Sequence, residues 1–138
     1  MDEPVIRYYR KLLRSDFENI GELQHPSIFL DSIGEKVRIC GQFGNYYLHL
    51  YIAVAEGHIR QVKYKCACDP TANVAIEILC GLLQDRSLEE AKKLSEESFL
   101  EVLGGPSPDL ANRARKLMEL LARGIGRFEA QAEIRKVD

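Results

Sequence analysis

The chain has 138 residues, 46% of them hydrophobic and 29% charged, and a formal net charge of −2. That length suits one domain over residues 1–138, large enough to build a core without disulfide or metal staples. No long basic stretch argues for nucleic acid, apolar runs such as Leu50 to Ala55 are far too short to cross a bilayer, and the acidic start Met1-Asp2-Glu3-Pro4 lacks the basic region of a signal peptide, so a cytoplasmic protein is expected.

The first predicted element is a helix. Val5, Ile6, Tyr9, Leu12 and Leu13 recur at helical spacing, and Pro4 is well placed near the start. Residues 15–35 read as an irregular connection, with turn residues at Gly21, Pro26 and Gly34. Three strands are expected next. Val37 to Cys40 is short. Tyr46 to Val54 alternates, with Leu48, Leu50, Ile52 and Val54 on one face. After a tight turn at Glu56-Gly57, His58 to Cys66 places Val62, Tyr64 and Cys66 on one face. Such short connections make an antiparallel meander.

The remainder reads as helical. Asp69 is an expected N-cap with Pro70 at the first helical position, and Ala72, Ala75, Ile76, Leu79, Leu82 and Leu83 form the buried stripe behind it. Ser87-Leu88-Glu89-Glu90 is a capping box opening a short helix. Another short helix, from about Glu96 to Leu103, stops at Gly104-Gly105. The last helix starts near Pro108, with Leu110, Ala114, Leu117, Leu121, Ile125 and Phe128 as its stripe and a fraying tail beyond. Strands followed by a block of helices predict an α+β fold, a three-stranded antiparallel sheet with helices on one face.

Four cysteines, Cys40, Cys66, Cys68 and Cys80, are the candidate chemistry. In a cytosolic setting they are expected as thiols, metal ligands or core residues rather than disulfides. Cys80 lies at the edge of an apolar helical stripe and is expected in the core. His49 and His58 lie away from the other cysteines, and Tyr46, Tyr47 and Tyr51 read as packing residues of a strand. Arg113, Arg115 and Lys116 read as the solvated face of the last helix, or a patch that docks an acidic partner. No nucleophile–base constellation argues for an enzyme.

The order of elements and several local stretches resemble the IscU/NifU N-terminal family of iron–sulfur cluster assembly scaffolds (SufE/NifU-type fold). Val5-Ile6-Arg7-Tyr8-Tyr9 is similar to that family's opening helix, Asn19-Ile20-Gly21 to its Asn-Val-Gly, and Cys40-Gly41-Gln42 to its Cys-Gly-Asp. Gly57-His58-Ile59, Tyr64-Lys65 and Ser87-Leu88-Glu89-Glu90-Ala91 match its Gly-x-Ile, Phe-Lys and Ser-Leu-Asp-Glu-Ala, the last two without an intervening gap. The resemblance spans nearly the whole chain.

The resemblance implies a transient cluster held on three cysteines, a cysteine desulfurase as partner and recipient apo-proteins. Of those ligand positions the first is Cys40, the second falls on Asp69 just after Cys68, and the third falls on Ala111, with Leu110 at the preceding family histidine. Gln42 stands where the family has an aspartate, and Gly104-Gly105-Pro106-Ser107-Pro108 departs from its chaperone-recognition segment. Cys40, Cys66, Cys68 and Asp69 are therefore the candidate set for iron, an iron–sulfur cluster or zinc, with Cys40, Cys68 and Asp69 at its centre. The alternatives are Asp69 as a plain N-cap with the cysteines as packing remnants, a module kept for partner binding, or a thiol that accepts sulfur.

Overall fold

The computed structural model describes residues 1–41 and 44–137. Helix α1 (Glu3–Ser15) buries Val5 and Leu12 and closes where Asp16, in the left-handed region, donates its N–H to the Leu12 carbonyl. Leu13, expected on the same stripe, is exposed. Adjacent helical residues point about 100° apart, and here only Leu12 reaches the core.

The first strand is not where the sequence pattern puts it. β1 (Ile28–Asp31) lies inside the stretch expected to be irregular, burying Ile28 and Leu30 and exposing Phe29. Val37 to Cys40, expected as that strand, joins no ladder. The reason is competition for an edge: the sheet order is β1-β2-β3, so both sides of β2 (Tyr47–Ala55) are already occupied. Val37, Ile39 and Cys40 are nevertheless buried, so their pattern reports burial rather than pairing.

β2 pairs antiparallel with β3 (His58–Ala67) through the expected turn, in which Glu56 and Gly57 both have positive φ, 55° and 75°. That is the geometry whose twist suits a two-residue hairpin. Leu48, Leu50 and Ile52 face the helices. Phe29, Tyr47, His49 and Tyr51 contact one another on the opposite face.

Helix α2 (Pro70–Leu83) starts as expected, Asp69 Oδ1 accepting from the Ala72 N–H at 2.9 Å. It is buried on nearly every side, against α1, β3 and two later helices, rather than along one stripe. The Ser87–Glu90 capping box opens α3 (Leu88–Lys92), and α4 (Glu96–Leu103) ends at Gly104 with φ 88°. Helix α5 (Pro108–Val137) buries Leu110, Ala114, Leu117, Leu121 and Ile125. It does not fray after Phe128; the helix continues through Ala130, Gln131, Ala132 and Glu133, which favour it without burial. Gly124 lets α5 touch β1: a Cβ there would lie 2.5 Å from Leu30 Cδ2. The result is the expected α+β arrangement, and among the described residues no helix is long and apolar enough to cross a membrane.

Candidate functional site

The backbone brings two remote segments together at one end of the sheet. Tyr47 opens β2 opposite Ala67, which closes β3, so Cys68 emerges just past the ladder. The segment before β2 is tied to the same place, because the Asp69 N–H donates to the Cys40 carbonyl at 2.8 Å. Gly41 makes this approach possible. Its φ is 126°, and a Cβ would sit 3.0 Å from the Tyr46 ring and 3.2 Å from Asp69 Oδ2.

Cys40 and Cys68, 28 residues apart in sequence, are joined as a disulfide with Cα atoms 4.2 Å apart. The expectation from a cytosolic setting that no cysteine would be bridged does not hold for these two, because the segments that the resemblance puts in one site converge closely enough for their sulfurs to bond. The pair is asymmetric: Cys40 is 3% exposed, whereas Cys68 is half-buried. One carbonyl, that of Tyr47, lies 3.3 Å from Cys40 Sγ and 3.5 Å from Cys68 Sγ, placed to accept an S–H from either in the dithiol state. A cavity of about 290 Å³ opens beside Cys40, lined by Ser32, Lys36, Arg38, Gly41 and Tyr46 among others.

Asp69 is engaged twice. Besides capping α2, it receives both arms of Arg113, Nη1 to Oδ1 at 2.9 Å and Nη2 to Oδ2 at 2.8 Å. Arg113 Nη1 also donates to the Ile39 carbonyl at 2.7 Å, and Asp109 lies 3.5 Å from its Nε. Burial opposes the guanidinium charge, but the Asp69 hydrogen bonds and charge outweigh it and raise the Arg113 pKa. Arg113 is thus not part of a solvated face: its side chain is only 14% exposed. Arg115 does lie at the surface, paired with Glu96. The signals that would have marked Arg113 are Asp109 one turn earlier and its place two residues after Ala111, on the helix that the resemblance puts at the site.

Cys66 is not brought to the pair. It lies on the helix-facing side of β3, across from Leu48, and donates to Asn73 Oδ1 at 3.0 Å. Burial, then the charge of Glu77, pushes its thiol up to about 12. The same two causes push up Cys80, which is fully buried as expected. Glu77 itself is a buried carboxylate that sequence reading missed amid an apolar helix. Its Oε1 accepts from Asn19 Nδ2 at 2.9 Å. Burial first, and the Glu77 charge second, keep Cys66 and Cys80 as thiols, which are poor nucleophiles and poor ligands. Ala111 and Leu110 present no donor, Leu110 being fully buried, and Gln42 lies outside the described residues. His49 pairs with Asp31 on the outer sheet face, and His58 Nδ1 lies 3.2 Å from the Glu56 carbonyl, both away from the cysteine pair. Among the described residues no three His, Cys, Asp or Glu side chains are grouped so as to hold a metal ion. The edge therefore offers one bonded cysteine pair beside a carboxylate neutralised by a guanidinium.

Comparison with solved structures assigns the fold. The chain superposes with TM-score 0.57, over 91% of its length and 96% of the other, on a protein provisionally described as an iron–sulfur cluster assembly scaffold for the SUF system of the thermophile Fervidobacterium islandicum AW-1. The two sequences are 11% identical, so the likeness is one of fold. A looser match, TM-score 0.48 at 15% identity over 99% of this chain and 92% of the other, is the N-terminal part of a nitrogen-fixing NifU-like protein from Brucella abortus. No family model and no curated protein matches the sequence. The chain thus shares the α+β fold of the Fervidobacterium protein, the fold class the residue pattern leads one to expect.

Proposed function

We propose that this chain serves cytoplasmic iron–sulfur cluster assembly as a scaffold or carrier. Its cargo, iron or a nascent cluster, is held by Cys40 and Cys68 after reduction, with a cysteine desulfurase supplying sulfur and apo-proteins receiving the product. As a scaffold it supplies ligands to that cargo. The observation that carries this reading is the convergence of Cys40 and Cys68 beside the start of α2, in a fold shared with an assembly scaffold. Thiolates are the natural ligands of iron–sulfur clusters and suit zinc equally. Asp69 is the nearest further donor once Arg113 releases it. Cys66 would join only by leaving Asn73 and losing its proton.

The test is anaerobic reconstitution of the reduced protein with iron and sulfide, followed by visible absorption and metal analysis. A stoichiometric chromophore that Cys40→Ala and Cys68→Ala both abolish is expected. No bound iron or zinc under conditions that load an intact scaffold would overturn the reading.

A second reading has its own observation. Arg113 already neutralises Asp69, and Ala111 and Leu110 stand where the resembled family carries ligands. On this reading the fold is kept to bind a desulfurase without holding cargo. Co-purification of a desulfurase with the Cys40→Ala, Cys68→Ala double variant, together with failed reconstitution of the parent, would favour it.

A further inference from the structure

A desulfurase hands over sulfur as a persulfide, in which the terminal atom is at the sulfane level, whereas a cluster contains sulfide. Two electrons must enter between those states. A second thiol within bonding reach of the persulfide supplies them by becoming half of a disulfide, the ordinary course of thiol exchange at a sulfur–sulfur bond.

Cys40 and Cys68 have that relation. Their sulfurs are close enough to bond, and the backbone is held for it by the Asp69 N–H to Cys40 carbonyl bond. Their exposures differ in a useful way. Cys68, half-buried past the end of β3, is the more exposed residue of the two, whereas Cys40 is only 3% exposed. The other two cysteines do not compete, since Cys66 is turned inward to Asn73 and Cys80 is buried in α2. The Tyr47 carbonyl can hold the S–H of one partner while the other reacts.

We infer that the reduced Cys40/Cys68 pair converts persulfide sulfur into free sulfide, with Cys68 as acceptor and Cys40 as the thiol that resolves it. In the first step the Cys68 thiolate attacks the terminal sulfur of a donor persulfide. A Cys68–S–SH bond forms and the donor leaves as its thiolate. In the second step the Cys40 thiolate attacks Cys68 Sγ, the Cys40–Cys68 bond forms, and the terminal sulfur leaves as hydrosulfide, taking both electrons of the broken S–S bond. The sulfane sulfur is reduced by two electrons and the two cysteines are oxidised by two. An external dithiol then reduces the disulfide and restores the pair. This deepens the assembly reading, on which it rests for its biological setting, by naming persulfide as substrate and sulfide as product of the same two residues.

The experiment uses the reduced full chain, freed of reductant and incubated anaerobically with a low-molecular-weight persulfide such as glutathione persulfide. Sulfide is assayed colorimetrically and the protein by intact and peptide mass spectrometry. The wild type should release one equivalent of sulfide per chain beyond the persulfide's own background, finish with Cys40 bonded to Cys68, and retain no added sulfur. Cys40→Ser should retain one sulfur on Cys68 and release only background sulfide. Cys68→Ser should do neither, and Cys66→Ser should behave as wild type. A wild type that keeps its persulfide, or a Cys40→Ser variant that releases sulfide as fully as wild type, would overturn the inference. The wild-type end state decides the matter even if a variant fails to fold. Sulfide release with failed reconstitution would leave this chemistry standing without the scaffold reading. Reconstitution without sulfide release would do the reverse.

Discussion

Arg113 is the residue whose removal tests the site most directly. Truncation to Ala deletes two charge-assisted bonds to Asp69, at 2.9 and 2.8 Å, and one bond to the Ile39 carbonyl at 2.7 Å. Asp69 keeps only the Ala72 N–H at its Oδ1. Breaking a fully buried pair costs about 3–5 kcal/mol. Here the side chains are 14% and 31% exposed, so water takes up part of the loss. About 2–3 kcal/mol is the expected destabilisation, with hydrogen bonds to charged groups contributing the larger share. For a domain of this size that lowers Tm by roughly 6–12 °C. Asp69→Asn keeps an oxygen to cap α2, since Asn caps as well as Asp, while removing the charge. A double-mutant cycle of Arg113→Ala with Asp69→Asn, read by urea denaturation, should give a coupling of about 1–2 kcal/mol. A coupling below about 0.5 kcal/mol, the level of an exposed ion pair, would refute the claim that Arg113 locks this carboxylate.

The two glycines near the middle of α5 should respond oppositely. Gly124→Ala drives a Cβ into Leu30 and should destabilise by about 1–2 kcal/mol despite the better helix former, whereas Gly126→Ala meets nothing within 4 Å and should stabilise by about 0.5–1 kcal/mol. Thermal shifts of the same sign for both would contradict the close α5–β1 contact. Thiol labelling of the disulfide form should find Cys66 slow: with its thiol pushed up to about 12, only about one molecule in ten thousand is thiolate at pH 8. Because the shift is upward, the labelling rate should climb about tenfold per pH unit from pH 8 to 10. A plateau near pH 9 would show that burial and Glu77 do not hold the proton.

Much of this fold is legible because its signals are local. The β2–β3 hairpin follows from period-two alternation around Glu56-Gly57, and α2 follows from Asp69-Pro70. β1 is not legible for the opposite reason. Ile28 to Asp31 and Val37 to Cys40 carry similar short apolar patterns, and only the distant pairing of Ile28 with Ile52 decides which becomes the strand. The site divides the same way. Asp69 as N-cap and Cys80 as core residue depend on their own helix. The Cys40–Cys68 bond and the Arg113–Asp69 pair join residues 28 and 44 positions apart, so they exist only once the sheet end and α5 are assembled.

Those two long-range pairs set different conditions on the same edge. A metal that took Asp69 would first displace Arg113 and forfeit the coupling above, about 1–2 kcal/mol, which lowers its affinity by about tenfold. Cys40 and Cys68 face no such competitor: what withholds them is their own bond, opened by two electrons. Cys66 and Cys80 are withheld by burial and Glu77, at any redox state, below the pH at which they ionise. Of the thiols on this chain, only the pair at the sheet end can therefore be switched on by reduction alone. On the proposed assembly reading, the reducing power around the pair would govern its access to sulfur or iron, with Asp69 the weaker donor.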